Sequence, residues 1–281
     1  MDENKGEERK VPSEETELRK EANRPLSSPI YDDSSSKLLP ITKLFPNFIT
    51  LLGLCSGLTS LKFTFSEQWE FAIIFIIIAA IIDGMDGRIA RILKSTSDFG
   101  AQLDSFADFL NFGAAPAFLL YFWKLKEIKV IGWMLVMIYV ICMSIRLARF
   151  NISQHLTQHY WDKFFFSGVP APLCALLSLL PIMVTFKSQD LLFVEHFSNV
   201  GYTACYFLIV SLLSISHIPT FSAKYIYIPK NLSYMFVSFF GIFIIFFISK
   251  PWVTLPILGG VYILTIPVSA GIYIYFSYKK R

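Results

Sequence analysis

Long apolar runs separated by short polar connections fill the chain after residue 40. Runs of this length with few interior charges predict membrane-spanning helices, because every backbone polar group must be satisfied inside lipid. We therefore expect an all-α, polytopic transmembrane helical bundle of about eight spans. The predicted spans are Phe48–Phe65, Glu70–Ile92, Asp98–Trp123, Val130–Ile145, Val169–Thr185, Val200–Ser216, Leu232–Ser249 and Val253–Phe276.

Local sequence predicts several irregularities in this pattern. The segment from Leu38 is expected to lie at the interface and lead into the first span. Pro116 should kink the third span. The Gly168-Val-Pro170-Ala-Pro172 stretch should make the start of the fifth span irregular, and Pro251 separates the last two spans or breaks a single region.

Composition supports a membrane protein. Hydrophobic residues make up 54% of the chain, against roughly 45–50% in soluble domains. Residues 1–40 differ: they hold many acids, Ser and Pro, which predicts a disordered tail, and they lack the apolar stretch of a secretory signal. The net charge of +4 does not suggest nucleic-acid binding. We expect a tail over 1–40, a membrane domain over 41–230 and two additional helices over 231–281.

Carboxylates are concentrated in one apolar region. Asp83 and Asp86 are spaced i,i+3, and Asp104 and Asp108 are spaced i,i+4, so each pair shares a helix face. The cluster 95–98, rich in Ser and Thr, suits a helix end followed by a new N-cap. Two helices that turn back here would bring four carboxylates together, which requires cations between them. Oxygen ligands select Mg²⁺ or Mn²⁺, and two such ions clamp a transferring phosphoryl group.

The positive-inside rule predicts the orientation. An even number of spans puts both termini and the acidic motif on the side that carries most of the 25 Lys and Arg residues. We therefore expect a cell (inner) membrane protein with a cytoplasmic active site and cytoplasmic termini. The opposite side carries six lysines: Lys62, Lys124, Lys126, Lys129, Lys187 and Lys250. The three of them that follow Trp123 oppose the rule locally.

The acidic stretch reads Asp-x2-Asp-Gly-x2-Ala-Arg-x8-Gly-x3-Asp-x3-Asp from Asp83 to Asp108. This pattern resembles the signature of the CDP-alcohol phosphotransferases at every position. The resemblance implies two ions: Asp83 and Asp104 touch both, Asp86 the first and Asp108 the second. It also implies that Asp108 is the catalytic base, and that the lipid nucleotide is bound by Asn47, Thr50, Gly87, Ala90, Arg91, Ser97 and Gly100.

Further segments resemble the phosphatidylserine synthases of this family. They include Arg146-Leu-Ala-Arg149-Phe-Asn151, Phe166-Ser-Gly168-Val-Pro170-Ala-Pro172 and Ile218-Pro-Thr-Phe-Ser. The resemblance implies phosphatidyl transfer from CDP-diacylglycerol to L-serine, in a homodimer. Arg146 and Arg149 are candidates for binding the serine carboxylate or a phosphate; the alternative is that both are inside-positive anchors.

Other functions are weighed against this one. Within the family, the acceptor could be glycerol 3-phosphate or an inositol derivative. An ion-coupled transporter could use the acids as cation sites, but it would not need Gly87, Ala90 and Arg91 at these spacings. His155 and His159 have i,i+4 spacing that could hold zinc, but Leu156 stands where a metalloprotease requires Glu.

Overall fold

A computed structural model describes residues 41–92, 97–153, 165–186, 199–216, 218–221 and 230–278. The predicted tail over 1–40 and the pair His155 and His159 lie outside these residues. The described elements are α1 (Ile41–Phe65), α2 (Trp69–Ile92), α3 (Asp98–Asp108), a π-helical segment (Phe109–Ala114), α4 (Ala115–Trp123), a 3-10 turn (Leu125–Ile128), α5 (Lys129–Ser153), β1 (Phe165–Ser167), α6 (Ala171–Ser178), α7 (Leu180–Thr185), α8 (Val200–Ile215), β2 (Pro219–Phe221), α9 (Lys230–Ser249) and α10 (Pro251–Tyr278).

The all-α prediction is confirmed for the described chain, which is helical apart from two strands of three residues. These strands pair in antiparallel register, Phe165 opposite Phe221. Three described helical stretches are long and apolar enough to cross a membrane: Phe45–Phe65, Leu125–Ile152 and Pro251–Ser269. Since large apolar side chains such as Phe239 and Leu264 are exposed on the helices, a lipid environment suits this surface.

α1 begins at Ile41 and runs unbroken through Pro46, so the helix starts earlier than the predicted Phe48. Two further predicted boundaries were wrong. The fourth span does not end at Ile145 but continues to Ser153, which puts Arg146 and Arg149 inside α5. The fifth span is divided into α6 and α7 at Leu179, two residues before Pro181. The last region forms two helices, α9 and α10, separated at Lys250, so the predicted separation at Pro251 is confirmed.

The third span is irregular directly before Pro116. Its backbone widens into the π-helical segment, in which the Ala115 N–H donates to the Leu110 carbonyl. Proline has no N–H, so Pro116 leaves the Phe112 carbonyl without its i+4 donor. The Tyr139 hydroxyl of α5 donates to that carbonyl at 2.9 Å, and both side chains are fully buried. A neighbouring helix thus satisfies the carbonyl that proline leaves unpaired.

The same arrangement occurs a second time. Pro181 leaves the Leu177 carbonyl at the end of α6 without its i+4 donor. The Tyr206 hydroxyl of α8 donates to it at 2.8 Å. Phe207, the next residue of α8, stacks on Tyr139 with 4.9 Å between ring centroids. These contacts join α5, α6 and α8 around the π-helical segment.

Small polar residues hold α1 against α2. The Ser56 hydroxyl donates to the Phe75 carbonyl at 2.7 Å, and the Ser60 hydroxyl donates to the Ala72 carbonyl at 2.8 Å. Short side chains let the two backbones approach closely, as is common between helices in membranes. The pair therefore forms a close-packed antiparallel hairpin that carries Asp83 and Asp86 on its second arm.

Candidate active site

Three carboxylates from α2 and α3 converge. One oxygen each from Asp83, Asp104 and Asp108 lies within 4.8 Å of the others. Ser97 caps α3, its hydroxyl accepting from the Gly100 N–H at 3.0 Å. The predicted N-cap in the 95–98 cluster is therefore confirmed, and the new helix packs against α1.

Asp86 lies in the same cavity but in a different hydrogen-bonding environment. Its carboxylate accepts from the Thr50 hydroxyl at 3.1 Å and from the Gly87 N–H. Thr50 and Asp86 are both buried. Thr50 of α1 therefore orients the carboxylate of Asp86, a candidate metal ligand, at the cavity.

The donor set fits a divalent cation. The carboxylate oxygens of Asp83 and Asp108 lie within 4.8 Å of each other. Carboxyl groups this close repel each other when ionised, and only a shared proton or a cation removes the repulsion. All the charged donors are oxygens, which suits Mg²⁺ or Mn²⁺ better than a soft transition metal. The cluster can therefore hold a metal ion.

A second group of predicted residues meets beside the acids. Asn47 of α1 lies next to Gly100 of α3: a Cβ on Gly100 would stand 2.8 Å from Asn47 Oδ1 and 3.2 Å from Ser97 Oγ. Residues far apart in sequence thus meet one helical turn from Thr50 and Asp104, which line the cavity. Gly87 is exposed on α2. Ala90 and Arg91 belong to α2, but their side chains lie outside the described part of the structure.

The two arginines occupy different positions. Arg146 interacts electrostatically with Asp83 and Asp108, and its Nε donates to the Val169 carbonyl at 2.7 Å. Gly168 has φ of +85°, a conformation that favours glycine, and a Cβ there would stand 2.8 Å from the Ser216 carbonyl oxygen. The turn at Gly168 therefore presents the Val169 carbonyl to Arg146.

Arg149 lies one turn further along α5. Its Nη2 donates to the Ile215 carbonyl at the end of α8 at 2.7 Å. Asn151, in the next turn, donates through Nδ2 to the Ser105 hydroxyl at 2.9 Å. This end of α5 is therefore fastened both to α8 and to the helix that carries Asp104 and Asp108.

Sequence reasoning missed part of the cavity lining. Gly53, Ala79, Ala107 and Asn111 line it together with the four acids and Thr50. The first three are small residues that leave space, and sequence alone gives them no distinguishing signal. Asn111 could have been noticed, because it is an amide within the apolar run Phe-Leu-Asn-Phe that follows Asp108.

Comparisons with known proteins agree with this geometry. The CDP-alcohol phosphatidyltransferase family model matches residues 43–213, and the CDP-alcohol phosphatidyltransferase 2 model matches residues 231–267. A Mycobacterium leprae CDP-diacylglycerol–serine O-phosphatidyltransferase is 35% identical over 233 residues, 80% of this chain and 74% of that protein.

Two further relatives match over shorter lengths. Proteins of the same name from Helicobacter pylori and Bacillus subtilis are 38% and 30% identical over 144 and 179 residues. The alignments cover 51% and 64% of this chain, and 59% and 93% of those proteins. With an acidic signature that folds into one cavity and a family match over most of the chain, the protein belongs to the CDP-alcohol phosphatidyltransferase family.

Proposed function

We propose that this protein transfers the phosphatidyl group of CDP-diacylglycerol to L-serine, giving phosphatidylserine and CMP. The observation that carries the proposal is the convergence of Asp83, Asp104 and Asp108 within 4.8 Å. A phosphoryl-transfer site needs concentrated charge and precise alignment more than covalent participation by the protein. The names of the relatives in Mycobacterium, Helicobacter and Bacillus support serine as the acceptor.

The acid cavity would hold two divalent cations, Mg²⁺ or Mn²⁺, on Asp83, Asp86, Asp104 and Asp108. When bound, these ions neutralise the pyrophosphate and the charge that develops on the leaving CMP. The Thr50 hydroxyl, which donates to Asp86 at 3.1 Å, keeps one carboxylate oriented for this role.

Asp108 is proposed as the general base. It accepts the proton of the serine hydroxyl as the serine oxygen attacks the phosphorus that bears the diacylglycerol. A new oxygen–phosphorus bond forms, the bond between that phosphorus and the CMP oxygen breaks, and CMP leaves with the electron pair. Arg146 supports this assignment because its charge lies close enough to interact with Asp108.

The nucleotide half of the substrate is assigned to the cavity edge. Asn47, Ser97 and Gly100 meet there, and the absence of a Cβ at Gly100 lets the Asn47 side chain of α1 lie directly against α3. Thr50, Gly87, Ala90 and Arg91 complete the proposed nucleotide-binding set, with Arg91 as a fork-shaped donor to the pyrophosphate. The lipid tails would lie between the helices, within the bilayer.

The serine carboxylate is assigned to Arg146, with Arg149 as the second candidate. The bond from Arg146 Nε to Val169 leaves the two terminal nitrogens to pair with a carboxylate or phosphate. The guanidinium of Arg149 instead donates to Ile215 through Nη2. Of the two, Arg146 is therefore the better placed to reach a substrate bound at Asp108.

The remaining expectations concern the membrane. We propose about eight spans. The chain would consist of a cytoplasmic tail over 1–40, a membrane domain over 41–230 and two additional helices over 231–281. The protein would form a homodimer in the cell (inner) membrane. Two of the lysines that oppose the positive-inside rule are paired: Lys124 with Glu127 at 2.9 Å and Lys126 with Glu67 at 3.2 Å. The excess of Lys and Arg on the side of the termini and the acidic motif supports cytoplasmic termini and a cytoplasmic active site.

The experiment is CMP release by the purified full-length chain from CDP-diacylglycerol, with serine, glycerol 3-phosphate and inositol offered separately. Release that depends on serine supports the proposal. Release with either other alcohol assigns the chain to the alternative transfer within the family. No release with any of the three, together with cation transport in vesicles, would favour a transporter instead.

A further inference from the structure

The acid cavity adjoins two groups of helices. The aspartates belong to α2 and α3, which pack against α1, whereas the two arginines belong to α5, which packs against α8. In the proposed function the first group holds the nucleotide lipid, and Arg146 of the second group binds the acceptor. The reaction requires the acceptor hydroxyl to lie in line with the phosphorus. The spacing between α3 and α5 therefore affects the alignment of the two substrates.

A side-chain hydrogen bond joins α3 to α5 beside the aspartates. Asn151 Nδ2 donates to the Ser105 hydroxyl at 2.9 Å. Ser105 follows Asp104 directly and lies three residues before Asp108. The Ser105 hydroxyl donates its own proton to the Ala101 carbonyl at 2.9 Å, so its oxygen is the acceptor for the amide. The bond thus connects the last turn of α5 to the helix that carries two of the acids.

This bond lies in register with the contact between Arg146 and Asp108. Arg146 interacts electrostatically with Asp108. Asn151 comes five residues after Arg146, and Ser105 comes three residues before Asp108, as expected for two helices that run in opposite directions. Arg146 and Asn151 are separated by about 7.5 Å along the axis of one helix. A bond at Asn151 therefore also limits the position of Arg146 relative to Asp108.

Two further bonds fasten this end of α5 to other parts of the chain. Arg149 donates to the Ile215 carbonyl at the end of α8, and Arg146 donates to the Val169 carbonyl before α6. Both of these acceptors lie outside the helices that carry the aspartates. The bond from Asn151 differs because its acceptor lies on α3, so it connects the arginine side of the cavity to the acid side.

Stability alone does not account for this pair. The bond between Asn151 and Ser105 is only partly buried, so water would satisfy both groups if the helices moved apart. Such a bond contributes little to stability, whereas a small displacement of reacting groups has a large effect on rate. We infer that Asn151 is a positioning residue, which through Ser105 fixes the spacing between Arg146 and the aspartates of α3 and so aligns the acceptor with the phosphorus. This inference rests on the proposed function.

The test is steady-state CMP release by the purified full-length chain, with serine and CDP-diacylglycerol varied separately and Mn²⁺ affinity measured by calorimetric titration. Asn151→Ala should lower kcat/KM for serine by about 10- to 100-fold. Ser105→Ala removes the other partner and should cause the same loss, and the double variant should lose no more than either single variant. Ser105→Thr keeps the hydroxyl and should retain the wild-type value. Mn²⁺ affinity and KM for CDP-diacylglycerol should stay unchanged, because neither residue is proposed to bind the metal or the nucleotide.

Two other serines provide matched controls. Ser144→Ala removes a hydroxyl of α5 that donates to the Val140 carbonyl within its own helix at 2.8 Å. Ser56→Ala removes a bond of 2.7 Å between α1 and α2, outside the cavity lining. Both variants should leave kcat/KM for serine unchanged, and Ser56→Ala should lower the melting temperature.

Unchanged kcat/KM for serine in Asn151→Ala and Ser105→Ala would overturn the inference. A loss in Asn151→Ala that Ser105→Ala does not share would also overturn it, because Asn151 would then contact the substrate itself. A wild type that releases CMP with a different alcohol contradicts the choice of serine but not the positioning role, and the same losses are then expected with that alcohol. A wild type that is inactive with every alcohol contradicts the proposed function, and the inference with it.

Discussion

Tyr139→Phe tests whether the π-helical segment positions Asp108. The substitution removes only a hydroxyl, which donates to the Phe112 carbonyl at 2.9 Å. Because Pro116 cannot supply the intrahelical donor, the carbonyl would be left buried and unpaired. Such a group is unfavourable by about 1–3 kcal/mol, and we expect the free energy of unfolding to fall by that amount.

The catalytic effect should exceed the effect on stability. The π-helical segment begins at Phe109, directly after Asp108, so a change in its geometry moves the carboxylate. A displacement of about 1 Å can reduce turnover as much as 100-fold. We expect kcat for CMP release to fall between about 10- and 100-fold at saturating substrates, in protein that is still folded.

Tyr206→Phe is the matched control. It removes a hydroxyl from the Leu177 carbonyl, which lacks its i+4 donor because of Pro181 but is only part-buried. It should lower stability by no more than the Tyr139→Phe loss and change turnover little. A loss of stability with unchanged kcat in both variants would refute the reasoning. In the double variant Tyr139→Phe with Pro116→Ala, a restored N–H at position 116 should recover part of the stability.

Three further predictions concern the acids and arginines. Removing divalent ions with excess EDTA should abolish CMP release and Mg²⁺ or Mn²⁺ should restore it; full activity after metal stripping would exclude the metal mechanism. Asp108→Asn should lose about 10²- to 10⁴-fold in turnover while still binding CDP-diacylglycerol, and near-normal turnover would remove Asp108 as the base. Its Mn²⁺ affinity, measured alongside, separates the base role from a ligand role. Arg146→Lys should raise KM for serine by about 10-fold or more, because lysine lacks the planar fork, whereas Arg149→Lys should change it less. A rise in KM for CDP-diacylglycerol alone would assign Arg146 to the phosphate, and no change in either KM would leave it as an anchor.

Local sequence determined the features that depend on neighbours along the chain. Apolar runs predicted the helices, since a helix in lipid satisfies its own backbone. The i,i+3 and i,i+4 spacings put Asp83 with Asp86 and Asp104 with Asp108 on shared faces. Ser97 predicted the start of α3, because a hydroxyl at that point caps the free N–H groups of the next turn.

Tertiary contacts decided what no local pattern encodes. The hydrogen bond from Thr50 to Asp86 joins residues 36 apart, and that from Arg146 to Val169 joins residues 23 apart. The length of α5, the π-helical segment before Pro116 and the placement of Asn111 against Gly57 each depend on a partner in another helix. The spacing of residues along the sequence determines which face of a helix they share, but only the packing of the helices determines which residues that face contacts.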